Sequence, residues 1–333
     1  MDGRERTWER GQLHGQAHLP RRGQWRLTSI RAVSTDNAQR VLRIQSVLYG
    51  HEPAQLWRLL RGLSAAARKV INADLVGQVE WALGDSGRTP ALVESDARSM
   101  LDVASGSIRN VTYEFFDDNL GSSGGQNQLA NGHPSDLVLV LNPDTYPSPT
   151  AIFELVKTLD TSGAGIVEAR QIPLEHPREY DPVTGETSWA SGFCMLVQRD
   201  LFDELGGFDN EHFLLHCDDV DFSWRARNAG HKIVLAPYAT VFHDKRPHPG
   251  NAWPAPDTEL FHSALGRLML ATRWSRPDIV KETIAVIESD GSEPQRRALD
   301  EFRSRLTAGR VPDPESDSVV AEFIDGEYAA HRF

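Results

Sequence analysis

Asp136 to Tyr146 reads DLVLVLNPDTY, an unbroken apolar run from Leu137 to Leu141 that stops at Asn142-Pro143-Asp144. A continuous Leu/Val run of this length, bounded by turn formers, marks a strand covered on both faces, as in the parallel sheets of α/β domains. Open α/β sheets place their ligands just outside the carboxyl ends of the strands, and this strand delivers Asp144 there. Asn-Pro-Asp also initiates a turn without any chemistry, so the carboxylate needs company before it marks a site.

Working outward, the chain repeats a strand-then-helix pattern. Val41 opens the apolar run VLRIQSVLYG, and Pro53 precedes Leu56, Leu59, Leu60 and Leu63 at helical spacing. A second strand, Val79 to Leu83, runs into Gly84-Asp85-Ser86-Gly87, and an amphipathic segment extends from Pro90 toward Ala104. A third, Val111 to Phe116, opens into the glycine-rich turn Asp117 to Asn127. Such a turn lets backbone N–H groups approach a phosphate or a sugar, yet it matches neither GxGxxG nor GxxxxGK[ST]. Ile152 to Leu159 marks the helix that follows the central strand. The alternation predicts an α/β fold, a doubly wound and mostly parallel sheet flanked by helices.

The second half supplies more strands and a second acidic cluster. Gly165 to Glu168 and Ala190 to Val197 read as strands separated by a long polar loop, and Asp200 to Leu205 as a short helix before the turn Gly206 to Asp209. Asp218, Asp219 and Asp221 then open a helix that Gly230 closes, and Ala239 to Phe242 leads to His243. Carboxylates at a helix N-terminus are favoured by the macrodipole and by capping, but three within four positions exceed what a cap requires.

Composition narrows the class. Two cysteines in 333 residues, Cys194 and Cys217, imply reduced thiols and a cytoplasmic protein. A net charge of -12 argues against a nucleic-acid partner, and no apolar run is long enough to span a membrane, which leaves peripheral contact with its inner face open. Residues 1–40 lack periodicity and are expected to form an irregular arm. Residues 41–250 form the candidate catalytic domain, and 251–310 a helical extension that packs on that domain or makes a homodimer surface. Residues 311–333 are an acidic tail expected to be loosely ordered.

Four motifs occur in order between Leu42 and His243: NLGSSGGQN at Asn119–Asn127, NPDT at Asn142–Thr145, SGFCMLVQRDLFDELGGFD at Ser191–Asp209 and DDVDFSWRARNAG at Asp218–Gly230. With them the chain resembles the family 2 glycosyltransferases of the GT-A fold, in particular the bacterial rhamnosyltransferase-like branch. The resemblance implies an inverting transfer of a sugar from a UDP- or dTDP-sugar, rhamnose among the candidates, to a hydroxyl of a glycan, lipid-linked or small-molecule acceptor. It gives Asp144 and His243 a divalent cation, Mn²⁺ or Mg²⁺, and makes Asp219 the catalytic base with Asp218 in place of the usual Glu. Tyr49, Asp85, Gly121, Asn142 and Asp144 would hold the nucleotide sugar, with Asn142 at the first position of the DxD motif. Trp189 and Asp218 would meet the acceptor, and Asp221 would orient it or only support the helix start. A sugar-phosphate nucleotidyltransferase is the first competing function, but it would be expected to carry a basic, glycine-rich loop where this chain has Tyr49-Gly50-His51-Glu52-Pro53. A non-catalytic nucleotide-sugar-binding protein is the second, and Asp144, Asp219 and His243 count against it.

Overall fold

The structure, a computed structural model, describes residues 24–28, 40–104, 106–175, 179–244, 255–315, 319–324 and 327–328. The first half contains β1 (Gln24–Thr28), β2 (Val41–Leu48), α1 (Pro53–Asn72), β3 (Gln78–Asp85), α2 (Glu94–Ala104), β4 (Asn110–Phe115) and α3 (Gly121–Ala130). The central strand β5 (Leu137–Leu141), the short β6 (Thr145–Pro147), α4 (Ala151–Ser162) and β7 (Ile166–Ile172) follow. The chain continues through β8 (Cys194–Gln198), α5 (Arg199–Glu204), α6 (Asp218–Asn228) and β9 (Ile233–His243) to α7 (Asp257–Arg273), α8 (Pro277–Asp290) and α9 (Glu293–Thr307).

The strands form one sheet in the order β1-β4-β3-β2-β5-β8-β7-β9-β6. β2, β3, β4 and β5 are parallel; β8 is antiparallel to both β5 and β7, so β7 and its parallel partner β9 point the same way as β5. Most strands therefore present their carboxyl ends at one edge. All of β5 is buried, and its alternation divides two cores. Leu137, Leu139 and Leu141 face the layer of α1 and α4, whereas Val138 and Val140 face Phe202, Phe222 and Ala226 of α5 and α6. α1 starts where Pro53 occupies the first turn and Glu52 and Gln55 form a reciprocal capping box, and Leu56, Leu59, Leu60 and Leu63 are buried along one face.

Three expectations change. In the N-terminal arm, residues 24–28 form a strand paired antiparallel with β4; the rest of 1–39 lies outside the described residues. The strand expected from Ala190 begins at Cys194, and Trp189 to Phe193 instead form a buried approach to it. The acidic tail is not loose where it is described: Val320, Phe323 and Tyr328 pack on a third core. That core joins α6 to α7 and α9, with Trp224 standing edge-on to Trp274 at 5.6 Å, so the C-terminal helices dock on the domain itself. Among the described residues, no helix is long and apolar enough to cross a membrane.

Candidate active site

Asp144 follows β5 directly, and the β6–β9 pairing sets Thr145 opposite His243. As a result His243 Nε2 lies 3.2 Å from Asp144 Oδ1, although about a hundred residues separate the two in sequence. The imidazole is 2% exposed and stacks on Phe193 at 5.7 Å, and neither ring nitrogen has a hydrogen-bond partner. A buried imidazole without such partners beside a carboxylate at a strand end is a donor set that fits a divalent cation. Among the described residues no group of three or more His, Cys, Asp or Glu surrounds a common point. Asn142 is fixed by its own backbone: its N–H donates to Phe193 O at 2.9 Å and its carbonyl accepts from Thr145 Oγ1 at 2.6 Å.

The second acidic group sits where the chain turns into α6. His216 and Cys217 have φ of 65° and 62°, the left-handed region that costs a side chain energy, and they aim the first turn of the helix at the sheet edge. Both carboxylate oxygens of Asp219 are oriented by backbone, Oδ2 by Gly192 N–H at 2.8 Å and Oδ1 by Val220 N–H at 2.9 Å. Asp218 is 7% exposed, and burial, followed by the charge of Asp219, pushes its carboxyl up to about 8. The glycine-rich turn braces this loop. A Cβ on Gly121 would lie 2.2 Å from Leu214 O, Ser122 N–H donates to that same oxygen at 3.0 Å, and Ser123 Oγ donates to Phe213 O.

These groups share one cleft of 860 Å³. Tyr49, His51 and Ser86 line one end, Asn142, Asp144 and His243 the floor, and Gly121, Asp218 and Asp219 the opposite wall. The far end is built from α7, α8 and the residues Glu327 and Tyr328. His51 is a residue that sequence reasoning missed; its only signal was its place directly after the first strand of the parallel set. Its Nδ1 accepts from Tyr49 N–H at 3.0 Å, which leaves the ring proton on Nε2. Burial holds His51 below the ordinary histidine range, partly offset by Asp144 and Asp85, so the neutral donor form is favoured.

Three assigned residues are held by contacts within the chain. Asp85 is fully buried behind the cleft wall, where its carboxylate accepts from Gly87 N–H and Ala91 N–H at 2.8 Å and from Tyr113 Oη at 2.7 Å. It shapes the loop that carries Ser86 rather than facing the cleft itself. Asp221 is 0% exposed and pairs with Arg225 at 2.8 Å and Arg273 at 3.2 Å, so it ties α6 to α7 and supports the start of the helix. Trp189 borders the cleft but is 2% exposed, with Tyr328 packed edge-on against it at 6.0 Å.

Residues 182–255, a span that holds Asp218, Asp219 and His243, match the model of the glycosyltransferase like family 2. The chain carries a glycosyltransferase region like those of family 2. It is 28% identical over an alignment of 146 positions to N-acetylglucosaminyl-diphospho-decaprenol L-rhamnosyltransferase of Mycobacterium tuberculosis, in two strains, covering 33% of this chain and 47% of the relative. The match thus spans about half the length of these curated relatives. The fold is shared with solved transferases. GalNAc-T7 with UDP, GalNAc and Mn²⁺ superposes over 84% of this chain and 60% of its own, with a TM-score of 0.57 and 13% identity. The mannosyltransferase PcManGT from Pyrobaculum calidifontis, in complex with GDP-Man and Mn²⁺, does so over 81% and 76%, with a TM-score of 0.50 and 15% identity. These superpositions show that the chain shares the GT-A fold of those transferases.

Proposed function

We propose that the chain is a metal-dependent, inverting glycosyltransferase that takes a sugar from a nucleoside-diphosphate donor, with rhamnose from dTDP- or UDP-rhamnose the first donor to test. One observation carries the reading: the Asp144–His243 pair and the backbone-oriented Asp219 face each other's space in a single cleft at the carboxyl ends of the parallel strands. The curated relatives act as rhamnosyltransferases on a lipid-linked substrate, which supports a glycan or lipid-linked acceptor here, with the cytoplasmic face of a membrane as the setting.

Asp144 and His243 would hold Mn²⁺ or Mg²⁺, which when bound neutralises the charge that develops on the leaving diphosphate. His51 donates from Nε2 at the nucleotide end, beside Tyr49 and Ser86. Asp219 accepts the proton of the acceptor hydroxyl as that oxygen bonds to the anomeric carbon. The bond from the anomeric carbon to the phosphate oxygen breaks at the same time, the nucleoside diphosphate leaves with the electron pair, and the centre inverts. Asp218, biased toward its protonated form, adds little negative charge against the departing diphosphate.

Nucleotide-sugar binding by calorimetry, with and without Mn²⁺, combined with nucleoside-diphosphate release in the presence of acceptor glycosides, tests the reading. Metal-dependent donor binding that Asp144→Ala removes is the expected result. Tight binding that is indifferent to both metal and Asp144 overturns it.

A further inference from the structure

The far end of the cleft is closed by chain that lies beyond the helical extension. After α9 the described residues of the chain run back along α7 and α6. Glu315 N–H donates to Arg273 O at 2.6 Å, Arg227 reaches Val320 O at 2.6 Å and pairs with Glu322 at 2.8 Å, and Phe323 stands edge-on to Trp224 at 5.1 Å. Farther along, Glu327 and Tyr328 line the cleft. There Glu327 pairs with Arg267 of α7, Trp189 Nε1 donates to Tyr328 O at 3.2 Å, and the Tyr328 hydroxyl bonds the thiol of Cys217, which directly precedes Asp218.

We propose that Glu327 and Tyr328 form the acceptor wall of the cleft, and that the subsite they complete against α7 and α8 takes an uncharged sugar ring. This rests on the transferase reading above. Tyr328 leaves a cleft of 860 Å³ beside it and covers Trp189, which is 2% exposed, so its removal would bare that indole. The wall's chemistry selects against charge. Arg267 meets Glu327, so together they present donors and acceptors with no net charge, which suits the vicinal hydroxyls of a sugar. A phosphate group would have to displace Glu327 and would bring its charge toward Asp219. Val286 and Ile287 of α8 supply the aliphatic side for the C–H face of a ring.

The test is a titration of the full chain, in the presence of Mn²⁺ with UDP or dTDP, by methyl glycosides of glucose, mannose, rhamnose and N-acetylglucosamine, followed by saturation-transfer NMR. At least one neutral glycoside is expected to bind. Glu327→Gln and Tyr328→Ala are expected to weaken it at least tenfold without changing nucleotide affinity, and Tyr328→Phe to retain most of it. Three results overturn the proposal: glycoside binding that ignores both substitutions, tighter binding of glucose 6-phosphate than of glucose, or no glycoside of the panel binding. Nucleotide affinity is read in the same samples, so failure of the transferase reading shows there, and the glycoside titration is then judged without nucleotide.

Discussion

Gly192 N–H donates to Oδ2 of Asp219 at 2.8 Å, so the loop that leads into β8 sets the angle of the carboxylate that opens α6. With Val220 N–H on the other oxygen, both lobes of the group are committed to backbone donors. Asp219→Asn therefore does two things: it removes the acceptor for the hydroxyl proton, and it turns an amide N–H₂ toward one of two backbone N–H groups. Transfer is expected to fall by about 10²- to 10⁴-fold in kcat. Stability should drop by about 1–3 kcal/mol. Nucleotide and metal affinity should change little. Turnover under saturating donor, with thermal unfolding of the same sample, checks this; a variant that still transfers at the parental rate removes Asp219 from the base role.

The Asp144–His243 contact predicts unequal metal effects. Asp144→Ala removes the charged ligand and is expected to abolish Mn²⁺-dependent donor binding. His243→Gln keeps a polar side chain but loses the imidazole that stacks on Phe193, and it should raise the Mn²⁺ requirement by about tenfold or more. Mn²⁺ titrations of donor binding check both, and unchanged metal dependence in the two variants would mean that the pair is merely structural.

What the sequence discloses follows from how local each signal is. β5 was legible because five buried residues in a row leave few alternatives, and α6 because three carboxylates precede an amphipathic turn and Gly230 closes it. The direction of β8 was not, because antiparallel and parallel partners within a covered sheet have the same apolar runs. Asp85 and Asp221 illustrate a second limit. A carboxylate at a strand or helix end reads as a site, and whether its partner is a ligand, Tyr113 or Arg273 depends on chain far away in sequence. The acidic composition of the tail pointed to solvent, but Phe323 and Tyr328 anchor it, and two aromatic residues among many charges are a weak signal until the surface of α6 is known.

Asp221 gives the prediction that separates structure from catalysis. It is fully buried between Arg225 and Arg273, and Arg273 also pairs with Asp209 of the Gly206–Asp209 turn. Asp221→Ala leaves two guanidinium groups without that carboxylate in a buried network, a loss on the order of 3–5 kcal/mol. Thermal unfolding is expected to come at much lower temperature. At a temperature where the variant remains folded, donor affinity should stay near parental, and selective loss of acceptor affinity in a variant of normal stability would return Asp221 to the acceptor role.

Asp218 sets a pH dependence whose sign is fixed by its raised pKa. The folded chain holds this proton more tightly than the unfolded chain, so stability from this group is complete below the unfolded value near 4 and is lost as pH rises toward about 8. Burial is the first cause and Asp219 the second, and both act only in the folded state. Asp218→Asn mimics the protonated form at every pH. The difference in unfolding free energy between variant and parent should therefore grow in favour of the variant between about pH 4 and pH 8, reaching on the order of a few kcal/mol, while contributions from other groups cancel. Chemical denaturation of both proteins at several pH values across that range measures it. Parallel curves would show that Asp218 ionises as readily in the folded chain as in the unfolded one, and would leave two full negative charges side by side at the start of α6.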